Sequence, residues 1–265
     1  VKPCFIVKRY FMREVFIMKR NKKSFEGYRA NKNERPLTIA HRGASALAEH
    51  ENTLESFQIA IDIGADMVEF DVRKTSDDVL IVFHDSAIDG KKVRDLTYNR
   101  INDITRRLGY RVPKLVDVLD LCQGKIHLDI ELKESGYERS VVNMVKERYG
   151  YNEFSIKSFK DKISYKVKSI DPRITTGLLI GKDKAGLSVR LNEYFPARRL
   201  KRCKADFVSP HYLLCTREFV RRMKREGYPV FVWTVNDEKI MDRMIALRAD
   251  GIISDRPDIL MKHIH

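Results

Sequence analysis

The feature that most restricts how this chain can fold is a rhythm that begins after Pro36. Short runs rich in β-branched and apolar residues alternate with longer segments that read as helices, which is the pattern of a parallel sheet with helical crossovers. The runs are 37–41, 67–72, 126–132, 154–158, 174–180, 207–209, 230–234 and 251–254. Eight strands is the number that closes a barrel, and such barrels run to about 250 residues, close to the 265 present here. The predicted fold is therefore α/β, a (β/α)8 TIM barrel over residues 37–265, preceded by a short basic extension over residues 1–36.

A ninth run, 79–84, breaks the count. Only six residues separate it from the second strand, too few for a parallel crossover of a dozen or more. It is predicted to return antiparallel from a turn at Ser76, Asp77 and Asp78, which brings His84 back to the level of Glu69 and Asp71. Three helices are predicted from apolar spacing and end signals: 53–63 before Gly64, 115–121 after Pro113, and 218–226 before Gly227.

The chain carries a formal net charge of +14, and 11 Lys or Arg against three Glu before Leu37 account for +8 of it. An anionic partner fits such a balance, but no nucleic-acid-binding motif accompanies it, so nucleic acid is not expected. The basic run 198–204 reads as a solvated face. Val7, Phe11, Val15 and Met18 recur at helical spacing among basic residues, which suits a helix capping the barrel or one lying on an anionic membrane through residues 1–23. Charges interrupt this segment too often for a span or for the unbroken apolar core of a signal peptide, so a cytoplasmic location, peripheral at the membrane, is expected. Cys4, Cys122, Cys203 and Cys215 lack paired spacing, which favours a reducing compartment.

Four strand ends carry ionisable groups: His41-Arg42, Glu69-Phe70-Asp71, His84-Asp85 and Glu131-Leu132-Lys133. The two-residue period of a strand puts Glu69 and Asp71 on one face. Like charges buried side by side are costly unless a cation neutralises them, and Glu131 from an adjacent strand completes an all-oxygen site suited to Ca²⁺ or Mg²⁺. Singly, each piece has a bland reading as a hairpin, a turn or a surface ion pair. Their ordered coincidence is what argues for a site.

The ordered series resembles the glycerophosphodiester phosphodiesterase family. The opening H-R-G-A is met by His41 to Ala44 and E-N-T by Glu51 to Thr53. The long E-x-D signature is met by Glu69 through Asp85, with Val72, Thr75, Asp77, Val82 and His84 in place. E-L-K falls at Glu131 to Lys133, S-F at Ser158-Phe159, W-T-V-N at Trp233 to Asn236, and the closing D-G-I-I-x-D-R-P at Asp250 to Pro257. The resemblance implies a (β/α)8 barrel that uses one divalent cation to hydrolyse small glycerophosphodiesters to glycerol 3-phosphate and an alcohol. It implies His41 and His84 as the acid/base pair, with His41 assigned as base and His84 as acid. It makes Glu69, Asp71 and Glu131 the metal ligands, Arg42 and Lys133 phosphate contacts, Glu51 a partner of the arginine or of the metal, and Trp233 an aromatic wall.

Two stretches depart from the family pattern. After His84-Asp85 the usual R-T-T-N-G is replaced by Ser86-Ala87-Ile88-Asp89-Gly90, which puts the leaving-group preference in question. Around Ser209-Pro210-His211 the fit is loose, and His211 reads as an ordinary loop residue. A second reading keeps the chemistry but takes a membrane lysophospholipid, cleaved as by a phospholipase D. A non-catalytic barrel is disfavoured, since every acid, base and ligand position is filled.

Overall fold

The structure, a computed structural model, describes residues 35–181 and 186–264. The helix predicted through Val7, Phe11, Val15 and Met18 lies outside the described residues.

Eight parallel strands form the barrel: β1 (Leu37–His41), β2 (Met67–Lys74), β6 (His127–Leu132), β7 (Phe154–Ser158), β8 (Thr175–Ile180), β9 (Phe207–Pro210), β10 (Phe231–Val232) and β11 (Gly251–Ser254). The path runs β10-β11-β1-β2-β6-β7-β8-β9. Closure between β9 and β10 comes from two parallel bridges, Val208 with Val230 and His211 with Trp233. The predicted strand 230–234 shrinks to two residues because its neighbours act only as these bridges. Other strand boundaries agree with expectation within two residues.

Strand β3 (Leu80–Val82) pairs antiparallel with β2, Val72 opposite Val82 and Lys74 opposite Leu80, as the short connection required. The excursion continues through β4 (Ala87–Ile88) and β5 (Lys91–Lys92) to helix α2 (Tyr98–Arg106). It has a small core of its own around Ile81, Val93, Tyr98, Ile101 and Val112.

Strand alternation divides the barrel into two apolar regions and one charged layer. Side chains at Val68, Phe70, Val72, Leu128, Ile130 and Ile156 point outward to a helix-packed core. Inside, the lower part of the barrel is filled by Ile39, Met67, Phe207, Phe231 and Ile253. Gly177 leaves the space for this filling, since a Cβ there would stand 2.2 Å from the Phe207 ring. Above this plug the inward positions turn charged: His41, Glu69, Asp71, Asp129, Glu131 and Lys157.

Helix α1 (Leu54–Asp62) follows β1 and is capped by Thr53, whose hydroxyl accepts from the Ser56 amide at 3.2 Å. The helices α3 (Leu115–Cys122), α4 (Glu138–Lys146), α5 (Asp161–Ile170), α6 (Leu187–Tyr194), α7 (Ala197–Cys203), α8 (Arg217–Arg225), α9 (Glu238–Ala246) and α10 (Pro257–Ile264) follow in order. The basic run 198–204 is more than a solvated face. It forms α7, which buries Leu200 and Cys203 and ties Arg199 and Arg202 to Asp161 at 2.6 and 2.7 Å. Cys122, Cys203 and Cys215 are free and buried, while Cys4 lies outside the described residues. Among the described residues, no helix is long and apolar enough to cross a membrane.

Candidate active site

The carboxyl ends of the strands open into one cavity of about 320 Å³, lined by His41, Arg42, Glu69, His84, Glu131 and Lys133 on one side and by Phe159, Leu179 and Trp233 on the other. That volume is of the size that takes a small molecule. A depression of about 380 Å³ between the β2–β3 hairpin and α4 pairs Lys74 and Lys114 with apolar walls but holds no acid/base pair.

Register builds the charged face. Glu69 lies opposite Asp129 and Asp71 opposite Glu131, so neighbouring inward positions of β2 and β6 all carry carboxylates. One oxygen from each of Glu69, Asp71 and Glu131 falls within a 4.8 Å cluster, and all three residues are buried. This donor set is hard, anionic and all-oxygen, which fits a divalent cation of the Ca²⁺ or Mg²⁺ kind. Lys133 bridges two of the three, its Nζ 2.7 Å from Asp71 and 2.8 Å from Glu131. Burial would raise the Asp71 carboxyl, but Lys133 and Arg42 outweigh it and hold Asp71 far below the usual range. Glu131 is pushed up, by burial first and then by Asp71 and Glu69, against the pull of Lys133.

The segment after β1 acts as a block. Arg42 and Gly43 take left-handed backbone angles, φ 53° and 82°, and turn the chain over the barrel rim. Only glycine fits at position 43, where a Cβ would stand 2.3 Å from the Ser56 hydroxyl. Glu51 grips the Arg42 guanidinium at 2.7 and 2.9 Å, Asn52 donates to Asp71 at 2.9 Å, and Thr53 starts the helix. The Arg42 amide donates to Glu69 Oε2 at 3.2 Å, and its Nε lies 3.3 Å from Asp71. Glu51 is thus the arginine's partner.

The two histidines arrive by different routes. His41 ends β1, and its Nδ1 lies 2.6 Å from Asp255 Oδ1, while Nε2 faces the cavity 3.9 Å from Glu69. Burial raises the Asp255 carboxyl, yet the hydrogen bond and charge of His41, aided by Ser45 and Asn236, bring it down to about 2. His84 is carried on the returning arm of the hairpin. Its carbonyl accepts from Arg73 Nε and Nη2 at 2.9 and 2.6 Å, and its Nδ1 lies 2.8 Å from Asp85. Burial, then Lys133, lowers its pKa, against the opposing pull of Asp71.

Trp233 lines the cavity, its indole N–H donating to the Ser209 carbonyl at 2.9 Å, with Phe159 packed edge-on at 5.5 Å between centroids. His211 sits behind Trp233 at 5.0 Å and starts a short 3₁₀ turn, accepting from the Leu213 amide, in keeping with an ordinary loop role. Four participants escaped sequence reasoning: Asp255, Asn52 and the buried pair Asp129 and Lys157. Asp255 and Asn52 lie inside recognisable motifs. The pair carries no sequence signal beyond polar residues at inward strand positions.

Comparison with known proteins agrees with this geometry. The model of the glycerophosphoryl diester phosphodiesterase family matches residues 41–259. A glycerophosphodiester phosphodiesterase of Caldanaerobacter subterraneus is 33% identical over 244 residues, covering 85% of this chain and 96% of its own. The crystal structure of a glycerophosphodiester phosphodiesterase from Parabacteroides distasonis superposes with a TM-score of 0.74 at 29% identity, over 86% of this chain and 95% of that one. A phosphodiesterase of Oleispira antarctica, solved with its product sn-glycerol-3-phosphate, has the same fold with a TM-score of 0.74 at 23% identity, over 87% of this chain and 97% of that one. With fold, motif order and site geometry in agreement, the chain belongs to the glycerophosphoryl diester phosphodiesterase family.

Proposed function

We propose that this protein hydrolyses small glycerophosphodiesters to glycerol 3-phosphate and an alcohol, using one divalent cation, Ca²⁺ or Mg²⁺, held by Glu69, Asp71 and Glu131. The observation that carries the reading is the convergence of both histidines with Glu69 and Glu131 on a single cavity, with Asp71 clustered against the two carboxylates. A phosphodiester resists hydrolysis because the attacking oxygen meets negative charge and the leaving alkoxide is a poor one. A cation held by these carboxylates would supply charge neutralisation at the phosphoryl oxygens. Arg42 and Lys133 add hydrogen-bond donors to the same oxygens, fixed in advance of the reaction.

Asp255 accepts the Nδ1 proton of His41 and leaves Nε2 as a lone-pair acceptor toward the cavity, the arrangement of a general base. His41 takes the proton from the glycerol hydroxyl next to the phosphate, that oxygen closes on phosphorus, and the P–O bond to the head group breaks. His84 gives its proton to the departing oxygen. Burial, then Lys133 and Arg42, disfavour the protonated form of His84 in the free protein, and the charge of a bound phosphodiester opposes the two cations. Water then opens the cyclic phosphate with the two histidines in exchanged roles. Each proton transfer contributes about 10²–10⁴ in rate. Phe159 and Trp233 face the apolar part of the substrate and keep water from that side.

The test is release of glycerol 3-phosphate from glycerophosphocholine and glycerophosphoethanolamine with added Ca²⁺ or Mg²⁺ and with EDTA. Ion-dependent release supports the reading, and no release with either ion refutes it.

A second reading, a lysophospholipid as substrate, has one observation in its favour. Leu191 and Phe195, in and at the end of α6 after β8, and Leu213, in the short turn after β9, are between 55% and 69% exposed. Apolar side chains there suit an acyl chain or a lipid surface. Cleavage of a lysophospholipid without cleavage of glycerophosphocholine would favour this reading. The membrane-binding role expected of residues 1–23 is tested by vesicle co-sedimentation with and without that segment.

A further inference from the structure

Beside the three ligand carboxylates, with Lys157 level with Glu131 and Asp129 level with Glu69, lies an ion pair that neither the fold nor the proton transfers require. Lys157, 1% exposed, points inward from β7 and places Nζ 2.6 Å from Asp129 and 3.4 Å from Glu69 Oε1. Asp129, fully buried, takes a second bond from the Ser155 hydroxyl at 2.7 Å. Burial disfavours the ammonium, but Asp129 and then Glu69 outweigh it and keep Lys157 charged. Burial pulls Asp129 upward against the same ammonium. The 2.6 Å contact, together with the Ser155 bond, is that of a formed ion pair.

Stability does not account for this pair. Taking two charges out of water costs about as much as their attraction returns, and well-packed apolar residues of similar volume commonly serve a fold as well or better. Apolar filling is available, because the barrel interior immediately below is packed with Phe207, Phe231, Ile39, Met67 and Ile253. Net charge does not account for it either, since lysine and aspartate cancel. Direction remains. Glu69 has two oxygens with separate neighbours: Oε1 faces Lys157, while Oε2 accepts from the Arg42 amide and faces His41.

We propose that Lys157, anchored by Asp129 and Ser155, is a positioning residue for the metal centre: it holds Glu69 Oε1 and so fixes the direction in which this carboxylate presents itself to the cation. The proposal rests on the metal-dependent reading of the site. Its test therefore reads ion binding directly, apart from turnover. Partners that orient a ligating carboxylate are typically worth about 10–100-fold in ion affinity.

The decisive variant is Asp129→Leu/Lys157→Met, which removes the pair without changing net charge. Its expected melting temperature without ion equals or exceeds the parent's, while its Kd for Ca²⁺ or Mg²⁺, by calorimetry, rises about 10–100-fold. A folded double variant with parental ion affinity overturns the proposal. Should that variant not fold, Asp129→Asn/Lys157→Met keeps the bond to Ser155, is likewise charge-neutral, and is expected to show the same loss. Asp129→Asn/Lys157→Gln returns an N–H donor toward Glu69 and is expected to recover most of the affinity. Equal loss in the Met and Gln forms would mean that the donor to Glu69 is irrelevant and also overturns the proposal. If the parent itself binds neither ion, it is the metal-dependent reading that fails, and the variants then have no affinity to lose.

Discussion

Replacing Asp255 by asparagine tests how His41 is kept in its reactive form. The carboxylate lies 2.6 Å from His41 Nδ1 and 2.9 Å from the Ser45 hydroxyl, both through Oδ1, and its Oδ2 accepts from the Asn236 side-chain amide. Asn236 has no freedom to reverse, because its own carbonyl accepts from the Asp255 amide at 2.9 Å and from Ser254. In Asp255→Asn the new carbonyl must therefore face Asn236, and the new NH₂ must face His41 and Ser45. An N–H pointed at Nδ1 forces the ring proton onto Nε2, where the base needs a lone pair. Loss of a charge-assisted hydrogen bond of about 1.5–3 kcal/mol slows the reaction about 10- to 150-fold. The wrong tautomer takes the total toward about 10⁴, the drop known for the same exchange in serine protease triads. The assay is steady-state release of glycerol 3-phosphate at saturating ion, with melting temperature as the folding control. Exchanging the two residues, Asp255→Asn/Asn236→Asp, lets the carboxamide turn its oxygen back to His41 and is expected to recover at least about tenfold. A well-folded Asp255→Asn enzyme within about tenfold of the parent would refute the tautomer argument.

Other consequences are open to the same kind of check. His41→Ala and His84→Ala each abolish turnover while leaving the melting temperature near the parent's, and a near-normal rate in either removes that histidine from the mechanism. A cation at 100 times its Kd stabilises the native chain by about 2.7 kcal/mol, reversed by EDTA, so a melting temperature indifferent to both contradicts the carboxylate site. Gly177→Ala drives a methyl group into the Phe207 ring and costs about 1–3 kcal/mol in denaturant titration. Phe207→Leu in the same chain relieves part of that cost. His263 bonds Asp242 and Glu238 at 2.7 and 3.0 Å, which raises its pKa above the unfolded value of about 6.5. Its contribution is full below that pH and is lost as pH rises through the raised pKa. The stability gap between the parent and His263→Gln should narrow in the same direction, and a gap that widens with pH shows the pairing to be absent.

What could be read from the sequence follows from how local each constraint is. The hairpin was legible because six residues cannot make a crossover, and the shared face of Glu69 and Asp71 because a strand alternates strictly. The motif after β1 was legible as a block, although the work divided among Glu51, Asn52 and Thr53 required coordinates. The partnership of His41 with Asp255 spans 214 positions and is set by β1 pairing with β11. Lys157 looked like any polar residue at an inward strand position. The strand order β2-β6-β7, which no local pattern specifies, puts its ammonium between carboxylates from β2 and β6. The short β10 escaped for a related reason, since hydrogen bonding at the closing seam depends on where both ends of the ring meet.

The hairpin that carries His84 divides the site between two bodies. Every other group of the centre is fastened to the closed ring, whereas this one rides on an appendage with a separate small core, fastened back through Arg73 and the Val72–Val82 pairing. If gentle heating frees the appendage, drawing Leu80 and Val82 out of the main core, while the ring persists, turnover goes first. Such a protein would fall silent before it melts, keeping its shape and its grip on the cation after losing the means to release the alcohol.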